Sequence, residues 1–112
     1  MIGGRTNEIV HVIYLNSKSE LIHAEDLSEG TVTEALAFPR KIVEGALRYG
    51  ATSVILAHNH PGGIAEPSES DDRLTKAVKE ALKTVDISLQ EHVIISDEGF
   101  YSYRKSGFFD IE

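Results

Sequence analysis

His58-Asn59-His60-Pro61-Gly62-Gly63-Ile64-Ala65-Glu66-Pro67-Ser68-Glu69-Ser70-Asp71 follows directly on the run Ser53-Val54-Ile55-Leu56-Ala57. That run is apolar and β-branched, which suits a buried strand. Side chains alternate across a strand, so His58 and His60 share one face and Asn59 points to the other. Two imidazoles at this spacing can grip a single ion. Pro61-Gly62-Gly63 ends the strand and turns the chain. Ser68 and Asp71 then return at the start of a helix, where an Asp in the first turn can point back at the strand end. Two His and one Asp are three protein ligands, which leaves one position for water, as in catalytic zinc sites. The bland reading of the same residues is a helix cap. Ser68-x-x-Asp71 has the form of a capping box with Asp in place of Glu or Gln, and Asp71 also complements the helix dipole. The two readings are compatible, because a hydroxyl can cap and also face a substrate.

The spacing H-x-H, seven residues, Ser, two residues, Asp resembles the JAMM, or MPN-plus, metalloprotease signature. His58, His60, Ser68 and Asp71 match it without a gap. The wider context resembles the RadC family, formerly labelled DNA repair proteins. Its members carry a His-Asn-His-Pro-Ser-Gly run, then Pro-Ser and Asp; this chain has Gly62 where that Ser usually lies. The likeness extends to the Gly30-Thr31 turn, the Pro39-Arg40 helix start and the Ile94-Ile95 strand. It implies a cytidine-deaminase-like JAMM/MPN architecture, zinc (Zn2+) on His58, His60 and Asp71, and a hydrogen bond from Ser68 to a developing oxyanion. It also implies a helix-hairpin-helix part upstream, so the chain is expected to be the C-terminal domain of a longer protein.

At 112 residues the chain has room for one core. Residues 1–6 are Gly-rich and polar and are expected to be a flexible segment, with a single domain over 7–112. Hydrophobic content of 41% and charged content of 26% are ordinary for a soluble globular protein. No apolar run reaches membrane-spanning length and no signal peptide opens the chain. The absence of cysteine excludes disulfides, thiolate metal sites and a cysteine nucleophile, and a cytoplasmic home is the expectation. The net charge of −7, from 11 Lys plus Arg against 18 Asp plus Glu, weighs against broad DNA binding, which needs a basic face.

Along the chain, Ile9 to Leu15 is nearly all apolar and reads as a strand covered on both faces. A turn at Asn16-Ser17-Lys18-Ser19 leads to a returning strand from Leu21 to Glu25, with a short strand at Thr31-Val32-Thr33. Pro39 opens a helix whose apolar stripe is Ile42, Val43, Ala46 and Leu47, and Gly50 caps it. The second helix runs from about Ser68 to Thr84 with Leu74, Ala77, Val78, Ala81, Leu82 and Val85 inward. Strands at Ile87 to Ile95 and Phe100 to Tyr103 flank an Asp97-Glu98-Gly99 hairpin turn. The pattern predicts an α/β fold, a mixed β-sheet packed by helices.

Hydrolysis of an amide needs a carboxylate near the metal to shuttle a proton. Glu8, Glu25, Glu34, Glu44 and Glu66 are the choices. The resemblance favours Glu8, which precedes the apolar run Ile9-Val10 as the catalytic Glu does in MPN-plus proteases. The Glu that commonly follows Pro-Arg in the family is Lys41 here. His11 and His23 could be neighbours across the first hairpin. His92 is the one expected to support the site without ligating. The expected activity is zinc-dependent cleavage of a peptide or isopeptide bond, with a protein or peptide substrate and no nucleic acid or membrane partner. The competing readings are a nucleic-acid-processing domain and a metal-free interaction module. Oligomeric state is not legible.

Overall fold

The computed structural model describes residues 9–28, 37–60 and 63–110. Five strands form one mixed sheet: β1 (Ile9–Leu15), β2 (Leu21–Ser28), β3 (Ser53–Asn59), β4 (Ser88–Ser96) and β5 (Gly99–Ser102), in the order β2-β1-β3-β4-β5. The helices are α1 (Ala37–Tyr49) and α2 (Glu69–Lys83), followed late in the chain by a 3-10 turn at Phe108–Asp110. All neighbouring strands are antiparallel except β3 and β4, which run parallel because α2 carries the chain between them. No described helix is long and apolar enough to cross a membrane.

Both helices pack on one face. Val10, Val12 and Tyr14 of β1 and Val54 and Leu56 of β3 form one core with Phe38, Ile42 and Ala46 of α1 and Val78 and Leu82 of α2. β1 is therefore not covered equally on its two sides. Its apolar run alternates between buried and half-buried, because Ile9, His11 and Ile13 lie on the face that α1 and α2 leave. Sequence alone cannot separate a run buried on both faces from one in which isoleucines line the drier side of a half-covered sheet. Leu47, assigned to the inward stripe, is exposed, and Phe38 takes the inward place at the start of α1. The short strand expected at residues 31–33 lies outside the described residues, as does the flexible segment expected at residues 1–6.

The C-cap of α1 and the N-cap of α2 follow the sequence, whereas α1 begins at Ala37, two residues ahead of the Pro39 start expected for it. Gly50 has φ +67, a conformation that favours glycine. With it in place, the Ala51 amide donates to the Ala46 carbonyl at 2.9 Å and closes α1. The first hairpin has a register in which His11 faces Asp26 and Tyr14 faces His23. His11 and His23 are thus not neighbours: the register places them three residues apart and on opposite faces. His11 Nδ1 lies 2.5 Å from Asp26 Oδ1, while His23 stacks on Tyr49 with ring centroids 4.1 Å apart.

One contact on the core face limits how closely α1 can approach β1. The Tyr14 hydroxyl reaches beneath Gly45 and donates to Glu25 Oε2 at 2.7 Å. Burial, then the hydrogen bond to Glu25, push the Tyr14 phenol above its usual range, so it remains a neutral donor.

Candidate metal centre

The end of β3 and the first turn of α2 meet where the sheet opens toward the helix layer. His58 is 1% exposed on the core face of β3. His60 follows the strand, held by its backbone amide, which donates to the Ile95 carbonyl at 2.8 Å. The two rings stand edge to face with centroids 5.0 Å apart, as their shared side of the strand requires. Asn59 points the other way, and its Oδ1 accepts from the Ile9 amide at 2.7 Å. It ties the end of β3 to the start of β1, the shaping role expected of it.

Asp71 arrives from the opposite side. It is the third residue of α2 and completes a capping box: its backbone amide donates to Ser68 Oγ at 3.1 Å, and its Oδ2 accepts from the Ser68 amide at 2.9 Å. The cap aims the carboxylate at the strand end. Asp71 Oδ2 lies 3.0 Å from His60 Nε2, and Oδ1 lies 3.4 Å from His58 Nδ1. One donor atom from each of His58, His60 and Asp71 lies within 4.8 Å of the others. Ligand atoms at zinc distances around a tetrahedral ion are about 3.3–3.6 Å apart, so two nitrogens and an oxygen at these separations suit a small divalent ion.

Ser68 is exposed at the helix start. Its Oγ accepts the cap bond, so its own hydrogen remains available to donate. Glu8 and Glu34 lie outside the described residues. Glu25 and Glu44 line a small cavity with Leu27, Lys41, Gly45 and Arg48 beside β2, separated from β3 by β1. Glu66 is exposed in the connecting loop. None of these three belongs to the His58, His60 and Asp71 group.

His92 lies against the site, not in the ligand group. It is fully buried on β4, its ring stacked on His58 at 6.0 Å and on Tyr103 at 4.8 Å. Burial, with the nearby His58 adding to it, pushes its pKa from 6.5 down to about 3. Sequence reading missed Thr75 and Tyr103. Thr75 is buried in phase with Asp71, Val78 and Leu82, and a polar residue at that phase was the available signal. Tyr103 gave none, because its partner Asp72 is distant in sequence.

The low pKa of His92 makes stability depend on pH. The unfolded chain binds the proton first as pH falls, so the contribution is complete above about 6.5 and is lost progressively down to about 3. Between pH 7 and 5.5 this single group removes about 1.3 kcal/mol of stability. Urea midpoints of metal-free protein are expected to fall over that interval, and to fall less in His92→Phe. Equal slopes for the two proteins would show that His92 does not carry the effect.

A mixed sheet bearing H-x-H at a strand end, with Asp in the capping turn of the next helix, defines a JAB/MPN-like domain. The chain belongs to the RadC-like JAB domain family, which matches residues 1–108. A UPF0758 protein of Janthinobacterium sp. (strain Marseille) is 42% identical over 107 residues, covering 96% of this chain and 48% of its own length. UPF0758 proteins of Paraburkholderia phytofirmans and Photobacterium profundum are each 40% identical, with 96% of this chain matched to 41% and 48% of theirs. The chain spans less than half the length of these curated relatives.

Proposed function

We propose that the domain is a zinc-dependent hydrolase of JAMM type that cleaves a peptide or isopeptide bond. The observation that carries this reading is the convergence of His58, His60 and Asp71 at one strand end, with Ser68 fixed beside them by the same cap. When bound, zinc supplies a Lewis acid that polarises a carbonyl and lowers the pKa of water. His58 and His60 would hold it as neutral imidazoles, and Asp71 would offset part of its charge. Ser68 donates its hydroxyl hydrogen toward an oxyanion developing on the substrate carbonyl. Glu8 takes the proton from the attacking water and returns it to the leaving nitrogen, which must be protonated to depart.

Charge supports an amide over a phosphodiester. Glu69, Asp71 and Asp72 fill the first turn of α2, and Glu66 precedes them. An anionic phosphodiester would meet repulsion there and no Arg or Lys clamp from this segment, whereas a neutral amide meets no such barrier.

The test gives zinc-loaded protein a peptide and isopeptide library alongside labelled single- and double-stranded DNA. Peptide-bond cleavage that Glu8→Gln abolishes, with zinc content and fold retained, is the expected result. Metal-dependent DNA nicking lost in His58→Ala, without peptide cleavage, would overturn the assignment.

A further inference from the structure

Asp71 has two duties, capping α2 and facing the two histidines, and both depend on where the first turn of α2 lies. Two hydrogen-bonded contacts fix that turn from the side of β4 and β5. Thr75 Oγ1 lies 2.7 Å from the Asp71 carbonyl and 2.6 Å from His92 Nδ1. The Thr75 hydroxyl has one hydrogen. If it donates to the carbonyl, which can only accept, Oγ1 is left to accept from His92 Nδ1–H. That assignment makes His92 the Nδ1–H tautomer, with Nε2 carrying a lone pair. Among the described residues Nε2 is buried and has no hydrogen-bond partner, and a bare lone pair is easier to bury there than an orphaned N–H. The second contact is Tyr103, whose hydroxyl donates to Asp72 Oδ1 at 2.7 Å. Tyr103 is itself tied to His92: its amide donates to the His92 carbonyl at 3.0 Å, and the rings stack 11° from parallel.

We infer that Thr75, His92 and Tyr103 are positioning residues for the Asp71 carboxylate, holding it against His58 and His60 through the backbone of α2 without touching an ion themselves. The inference rests on the zinc reading given above. Residues that orient metal ligands characteristically change metal affinity about 10- to 100-fold when altered. Thr75→Val keeps the shape of the side chain and removes the hydroxyl that joins His92 to the Asp71 carbonyl. Thr75→Ser restores that hydroxyl. Tyr103→Phe removes the hydroxyl that bonds Asp72 and also contacts the Thr75 side chain.

Zinc affinity is measured by competition with a chromophoric chelator on wild type, Thr75→Val, Thr75→Ser and Tyr103→Phe, each first shown to be folded by circular dichroism. Nitrogen chemical shifts of the histidine rings in metal-free wild type report the tautomer of His92. Thr75→Val is expected to weaken zinc about 10- to 100-fold, Thr75→Ser to bind nearly as wild type, Tyr103→Phe to fall between, and His92 to show Nδ1–H. Wild type that binds zinc while folded Thr75→Val binds it equally well would overturn the positioning role and leave the metal site standing. An Nε2–H tautomer would overturn the relay through Thr75. Wild type that binds no zinc would remove the metal reading, and the positioning role with it. A purely structural Thr75 would move melting temperature alone and leave the affinity of the folded protein unchanged.

Discussion

His58→Ala combined with His60→Ala is expected to abolish zinc binding under conditions where wild type is expected to take up one ion per chain. The expectation follows from the donor count. Among the described residues His58, His60 and Asp71 are the groups that converge, and one carboxylate with water cannot hold zinc at the affinity of a three-ligand site. The alanines remove both rings, and with them the contact of Asp71 Oδ2 with His60 Nε2, but leave the two bonds between Asp71 and Ser68 that cap α2. Removing a buried histidine still opens a cavity, so secondary structure is checked first. Coordination would also require unprotonated imidazoles, so acidification is expected to release the ion from wild type. Metal analysis after dialysis against a weak chelator decides the matter. A folded double variant that retains one zinc as tightly as wild type would place the site elsewhere.

Gly45→Ala is expected to destabilise the fold by about 2–3 kcal/mol, as overpacking of a close core contact does. On an open helix the same change would help by up to about 1 kcal/mol, since glycine is a poor helix former. Here the new methyl would meet the Tyr14 hydroxyl in steric overlap, with Tyr14 Cζ at 2.7 Å and Glu25 Oε2 at 3.2 Å. Tyr14 is 0% exposed and cannot swing away, and displacing it breaks its bond to Glu25. The melting temperature of Gly45→Ala is expected to drop by about 10 °C or more. Adding Tyr14→Phe removes the nearest clashing atom and should recover part of the loss. A Gly45→Ala protein as stable as wild type would mean that α1 can lift from β1 freely.

The sequence disclosed the metal motif and the hairpins because each rests on local spacing. His58 and His60 share a side through strand alternation, Ser68 and Asp71 meet within one helical turn, and Gly50 and Gly99 fall where φ is positive. What it withheld depends on contacts distant along the chain. The pairing of His11 with Asp26 instead of His23 is set by hairpin register, which the Asn16–Ser19 turn decides and composition does not. The approach of Tyr14 to Gly45 requires knowing that α1 crosses β1. Thr75 looked like an ordinary polar helix residue until Asp71 and His92 were placed on either side of it. The sheet face that α1 and α2 leave was hidden because isoleucine and valine occupy half-covered and fully covered strands alike.

The capping box has a consequence for how an ion would be received. A ligand on a free side chain chooses its rotamer only when the metal arrives, and the ordering entropy is then charged against binding. Asp71 has its rotamer chosen by folding, since Oδ2 already accepts the Ser68 amide. The empty and loaded proteins would therefore share one backbone shape, and uptake of the ion would leave the helical signal of α2 nearly silent. Such a centre is a rigid receptor whose carboxylate is set during folding, not a flexible clasp that closes on its guest.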